Sequence, residues 1–334
     1  MHRPVSRRTF LIDGASCTAH LALAAAVAPH ALRRLWAQEA RGPVVTTEPF
    51  GRLEQVADGI WALISTPLTG ARDTVANGGI IAGRSGVLAI EGFMTPGGAA
   101  WLARQAKQLT GRWPTHLVVT HYHADHSSGV AGYRDDANAR AMPRTLVTEE
   151  SLTSLFRAMP TPPAAPDEER KAALTGALRL AESSTTVDLG GRTVRLVRRD
   201  GHTASDVSVE VDDPSVVFTG DLVWNAMFPN FVDATPTRLA LAARALRRER
   251  QTTYVPGHGG VATDADVGRY LAMLGEVEQA ARAAHGKGTP VAEAAAAFTL
   301  SPALGEWALF NKVFFERAFA AWYRELGVGD DAKR

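Results

Sequence analysis

The chain has 334 residues, 46% of them hydrophobic and 21% charged, with 36 basic residues against 35 acidic ones. This composition excludes a disordered or fibrous protein, and a net charge so close to zero excludes a global pull toward nucleic acid or an anionic membrane. The expected partner is a small-molecule substrate.

In chain order, Ser6-Arg7-Arg8-Thr9-Phe10-Leu11 precedes a mildly apolar, alanine-rich stretch from Ala19 to Ala28. Residues 1–37 therefore read as a twin-arginine export signal, with cleavage after Ala28 or Ala37 and a periplasmic or otherwise exported product. The alternative is a basic N-terminal helix. The apolar stretch is far shorter than the ~20 residues a bilayer core requires, so no stable membrane insertion is expected after processing. Cys17 is the single cysteine and lies inside this segment, which leaves the processed chain without a thiol or a disulfide.

Residues 38–263 read as one catalytic domain. Ala57-Asp58-Gly59 and Arg84-Ser85-Gly86 each separate two apolar runs and predict two hairpins. A helix is predicted from about Gly98 to Leu109, where Trp101, Leu102, Ala106 and Leu109 share a face. Leu117-Val118-Val119 then predicts a buried strand running into His121. The proline-rich stretch from Met159 to Pro166 and a polar helix continuing to about Glu182 read as a surface excursion. Strands resume on either side of Gly190-Gly191 and of Asp212-Asp213-Pro214-Ser215, and a helix from Thr237 to Arg248 precedes a strand at Thr253–Val255. Thr263 can cap a further helix with Asp266 three residues on, and residues 264–334 read as a helical C-terminal extension. Strand clusters alternating twice with helices predict an α/β layered architecture.

The chemistry is concentrated in His121-Tyr122-His123-Ala124-Asp125-His126. Alternate residues at a strand end face the same side, so His121 and His123 point together, and Asp125 and His126 can join them as the chain turns away. Imidazole and carboxylate donors together suit zinc. Three later ligand candidates sit beside glycine near predicted strand ends: Gly201-His202-Thr203, Thr219-Gly220-Asp221 and Pro256-Gly257-His258-Gly259. Beyond Gln38 there are seven histidines, and five fall in these motifs; His116 and His285 read as ordinary polar residues.

These motifs resemble those of the metallo-β-lactamase superfamily over roughly Leu53 to Thr263. The resemblance implies an αββα sandwich with metal at one edge. By that resemblance His121, His123 and His202 bind one zinc ion, Asp125, His126 and His258 bind a second, and Asp221 bridges the two. No cysteine stands among the ligands, so the chain is similar to the glyoxalase II, lactonase and general hydrolase branches. Glu91-Gly92 departs from the Asp-Gly common in relatives.

Two Zn²⁺ sharing a solvent molecule supply hydroxide near neutral pH, because a zinc-bound water has a pKa of about 7 against 15.7 in bulk. Asp125 is the natural catalytic group to orient that water and pass on its proton. The expected reaction is hydrolysis of a small-molecule lactam, lactone, thioester or related ester. Trp224, Phe228 and Phe231, with Asn225 and Asn230 between them, read either as an apolar substrate wall or as core. Two other readings stand beside hydrolysis. One is a mononuclear-iron sulfur dioxygenase of the same superfamily, with iron on His121, His123 and His202; the other is a non-catalytic periplasmic accessory protein.

Overall fold

The structure, a computed structural model, describes residues 40–66, 71–135, 140–159, 165–309 and 313–331. The export signal, with its arginine pair and Cys17, lies outside the described residues, as does the middle of the proline-rich excursion. No helix among the described residues is long and apolar enough to cross a membrane.

Two sheets face one another. The first has eight strands in chain order: β1 (Val44–Glu48), β2 (Gly51–Ala57), β3 (Ile60–Ser65), β4 (Gly78–Ala82), β5 (Val87–Ile90), β6 (His116–Val118), β7 (Arg144–Val147) and β8 (Leu178–Arg179). Strands β1 to β5 are antiparallel neighbours, whereas β5 to β8 run parallel. Parallel pairing requires crossovers, and these carry helices α1 (Pro96–Thr110), α2 (Ala124–Ser127), α3 (Glu149–Ala158) and α4 (Ala165–Thr175). The second sheet is ordered β13-β12-β11-β10-β9, from β9 (Ser184–Asp188), β10 (Thr193–Arg199), β11 (Asp206–Val211), β12 (Val216–Trp224) and β13 (Thr253–His258). Its last pair, β12 and β13, is parallel and is joined through α5 (Pro236–Leu246).

Three apolar layers hold this sandwich together. Ile60, Ile81, Ile90 and Val118 meet Val194, Val209, Phe218 and Val255 between the sheets. Gly79 permits the close approach, since a Cβ there would fall 2.5 Å from the Phe218 ring. Trp101, Leu102 and Ala106 of α1 pack on the outer face of the first sheet with Leu117 and Val119. On the outer face of the second sheet, Val217, Leu222 and Tyr254 share a core with α5, α6 (Asp264–Gly286), α7 (Val291–Ala297) and α8 (Val313–Asp331). The helices after Thr263 thus cover that sheet. At about 1.5–3 kcal/mol for each fully buried large apolar side chain, Tyr270, Met273, Phe314, Phe319 and Trp322 make this cover a substantial part of the core. The cap of α6 forms as its sequence predicts: Thr263 and Asp266 exchange side-chain and backbone hydrogen bonds.

One expectation is corrected and one open reading is decided. The polar helix expected to reach Glu182 stops at Thr175, because the chain is recruited as the edge strand β8 beside β7. Of the two readings of Trp224, Phe228 and Phe231, core is the one found: all three are at most 2% exposed and pack beneath α8. Strands β1 and β7 carry no turn signal strong enough to be predicted from sequence.

Candidate metal centre

Both sheets deliver their ligands at one edge. On the first sheet the chain leaves β6 through Thr120 into His121, and α2 begins immediately after His123, which turns Asp125 and His126 toward the same space. On the second sheet His202 follows β10, Asp221 lies within β12, and His258 ends β13. Asp221 projects where the β12–β13 register shifts at Gly220, whose φ is +52°. Gly257 makes room beside it: an alanine Cβ at that position would lie 1.9 Å from Asp221 Oδ1.

The seven side chains form two adjoining groups, His121–His123–His202–Asp221 and Asp125–His126–His258, each with ligand atoms within 4.8 Å of one another. In the first, His123 Nδ1 lies 3.1 Å from His121 Nε2 and 3.0 Å from His202 Nε2. Asp221 Oδ2 is 3.1 Å from His202 Nε2 and 3.8 Å from His121 Nε2. In the second, His258 Nε2 is 3.3 Å from Asp125 Oδ2, and His126 Nε2 is 3.8 Å from that same oxygen. Asp221 Oδ1 faces this second group, at 3.2 Å from His126 Nε2 and 3.4 Å from His258 Nε2. The two oxygens of one carboxylate therefore address two histidine clusters.

The donor set fits divalent metal. A tetrahedral ion with nitrogen and oxygen ligands at about 2.0–2.1 Å has ligand–ligand edges of roughly 3.3 Å, close to the separations found. His126 Nε2 and Asp221 Oδ1 are buried without a hydrogen-bond partner, a costly arrangement unless a cation satisfies them. The tautomers point the same way. The Thr120 hydroxyl donates to Glu91 Oε1 at 2.5 Å, so at 3.1 Å it can only accept from His121 Nδ1–H, which leaves His121 Nε2 as a lone pair. Likewise His123 Nε2–H donates to Asp233 Oδ2 at 3.0 Å, leaving Nδ1 for the centre.

Charges at the site are tightly balanced. Burial by itself would raise Asp125, but the His126 and His258 imidazoles hold its carboxyl at about 2. Asp221 is likewise held far below the usual carboxylate range by His258, His126 and His202, against the effect of burial. His258 is pushed up to about 9: its burial opposes the charge, and Asp221 and Asp125 outweigh that.

Supporting residues absent from the sequence reading surround the ligands. Asp233 also accepts a 2.8 Å hydrogen bond from the Tyr122 hydroxyl, and Asp206 accepts the backbone N–H of His202 at 2.9 Å. Asn77, just before β4, donates through Nδ2 to Pro256 O at 2.9 Å and Gly259 O at 2.8 Å, the carbonyls on either side of Gly257-His258. Asp233 lies 110 residues from the histidine it orients, so no local pattern announces it. Glu91, the departure noted in the sequence, has φ +79° and places Oε1 3.0 Å from His126 Nδ1. The longer carboxylate thus supports His126 while also accepting the Thr120 N–H.

A family model described as Metallo-beta-lactamase superfamily matches residues 80–258, more than half of the chain. Among curated proteins, 2,4-dinitroanisole O-demethylase subunit alpha of Nocardioides sp. (strain JS1661) is 31% identical over 98 residues, covering 29% of this chain and 25% of its own. The acyl-coenzyme A thioesterase MBLAC2 of Homo sapiens is 30% identical over 132 residues, 36% of this chain and 46% of its own. The chain thus spans less than half the length of either relative. Among solved structures, a metallo-beta-lactamase from Pontibacter korlensis superposes with a TM-score of 0.53 at 21% identity, over 67% of this chain and 98% of that one. One from Erythrobacter litoralis, with beta mercaptoethanol in its active site, gives 0.52 at 17% identity over 70% and 100%. At such identities the likeness is one of fold.

Proposed function

This chain belongs to the metallo-beta-lactamase superfamily, and from that premise we propose that it is a hydrolase which holds two zinc ions and cleaves a small-molecule carbonyl compound or related ester. The observation that carries this reading is Asp221, whose Oδ2 faces His202 and His121 while Oδ1 faces His126 and His258. His121, His123 and His202 would hold one ion, Asp125, His126 and His258 the other, with Asp221 between them. Bound there, a zinc pair supplies an acidified water and a Lewis acid for the substrate oxygen.

The protein's own part is to orient and to move protons. Asp125 turns Oδ2 toward His258 and His126, so Oδ1 is the oxygen left to take a proton from the attacking water and return it to the leaving group. Its carboxyl is ionised at neutral pH, so Oδ1 has its lone pairs free to accept. Thr120 and Asp233 fix the tautomers of His121 and His123, which keeps their ligand lone pairs directed inward, and Glu91 faces His126 Nδ1. The convergence of a full second ligand group favours hydrolysis over a mononuclear-iron oxygenase. The likeness to a thioesterase supports trying an acyl thioester first among candidate substrates.

The test is a panel of acyl-coenzyme A thioester, homoserine lactone, nitrocefin, a nitroanisole and a phosphodiester, presented to one zinc-loaded preparation. Turnover of at least one, abolished by chelation and restored by zinc, is expected. Iron-dependent oxygen uptake without hydrolysis overturns the proposal.

Zinc uptake should release protons. Burial disfavours its charge, but Asp221 and Asp125 push His258 up to about 9; a ligand imidazole must be neutral, so zinc binding is expected to displace a proton, with apparent affinity falling as pH falls. Calorimetry in buffers of different ionisation enthalpy is expected to show net proton release at pH 7; a pH-independent affinity between 6 and 9 contradicts it.

We also propose export through the twin-arginine route. Replacing Arg7 and Arg8 together by lysine should leave the precursor in the cytoplasm on fractionation, and a normal extracytoplasmic yield overturns that assignment.

A further inference from the structure

His123 and His202 depend on the segment between β12 and α5, and that segment is fastened from the far side by α8. Asp233 belongs to it, as does Thr235, whose N–H donates to Gly201 O at 2.9 Å next to His202. Where α5 begins, Thr235 stands at the N-cap yet makes no side-chain cap hydrogen bond. The unsatisfied N–H groups of a first helical turn need an acceptor. It comes from α8: Glu325 Oε2 accepts the Thr237 N–H at 3.2 Å, and Oε1 accepts the Thr237 hydroxyl. A carboxylate is favoured at this positive helix end. Eight residues earlier on α8, Arg317 Nη1 donates to Asn230 Oδ1 at 3.1 Å, and Asn230 Oδ1 also accepts the Val232 N–H. The chain leading into α8 adds a backbone clasp, with Phe228 N–H donating to Ala308 O and Ala308 N–H donating to Ala226 O, both at 2.9 Å.

We infer that Glu325 is a positioning residue for the His121–His123–His202 site: it caps α5 in place of Thr235 and so holds Asp233 on His123 and Thr235 on Gly201. Arg317 assists by pinning the middle of the same segment. Residues 313–331 lie outside the region matched by the family model. The inference rests on the two-metal reading proposed above.

Zinc affinity measured by competition with a chromophoric chelator tests it. Glu325→Ala should weaken one of two zinc equivalents by about 3–10-fold, between the usual effect of a lost cap and that of a lost outer-shell partner, and leave the other unchanged. Asp233→Asn should weaken the same equivalent by about 10–100-fold. Tyr323→Phe, on the same helix but hydrogen-bonded to Thr289 O, should bind both ions as the wild type does. Adding Thr235→Asp to Glu325→Ala places an acceptor at the cap itself and should restore affinity, a rescue that mere loss of helix packing does not allow. Should Glu325→Ala fail to fold, Glu325→Gln retains the shape and one accepting oxygen, and a smaller weakening of the same equivalent is expected. Wild-type affinity in Glu325→Ala, or equal loss at both ions without rescue, overturns the inference alone. A wild-type protein that takes up no zinc pair overturns the two-metal reading and this inference with it.

Discussion

Replacing Asp221 by alanine is expected to strip both metal positions at once and to lower kcat/KM by about 10⁴-fold or more, because the nucleophile depends on the metals. Each oxygen of this carboxylate faces a different histidine group, at 3.1 Å from His202 Nε2 and 3.2 Å from His126 Nε2. Losing a directly coordinating group should exceed the 10–100-fold affinity cost seen for outer-shell partners, and here the loss applies to two sites. The carboxylate also favours the protonated form of the imidazoles around it, so without it His126 and His258 should hold protons less tightly in the metal-free variant. Elemental analysis after dialysis is the measurement. Retention of one full zinc equivalent would show that the carboxylate serves a single ion.

Asp125→Asn should reduce turnover by about 10²–10⁴-fold, roughly 3–5 kcal/mol of barrier, even at saturating zinc. The amide keeps the shape and one coordinating oxygen, but its nitrogen cannot accept the proton that the second carboxylate oxygen would take. Glu91→Gln is the comparison: it alters a group that touches His126 Nδ1 and Thr120 without reaching substrate, and a 10–100-fold loss is expected. Steady-state kinetics of both variants on the best substrate of the panel separate the roles. An Asp125→Asn enzyme with wild-type turnover would refute the proton-transfer role while leaving the ligand assignment standing.

The candidate ligands were legible because metal binding needs a few residue types at short spacings. His121, His123, Asp125 and His126 lie within six residues, and the other three carry glycine neighbours that the backbone requires, as the 1.9 Å approach of a Gly257 Cβ to Asp221 makes plain. Hairpins, the α1 face and the α6 capping box were readable for a similar reason: each is written in contiguous residues. What local pattern could not decide was anything that depends on a partner far along the chain. The aromatics from Trp224 to Phe231 had the composition of a binding wall and became core only because α8 lies over them. The stretch after Thr175 looked helical until β7 offered it a strand edge. Asp233, Asn77 and Glu325 are ordinary polar residues in sequence, and they acquire roles through hydrogen bonds spanning 110, 179 and 88 residues. The sequence by itself determined which donors can meet a metal; tertiary structure decided which side chains hold those donors in place, because orientation comes from hydrogen bonds that only packing of distant segments creates.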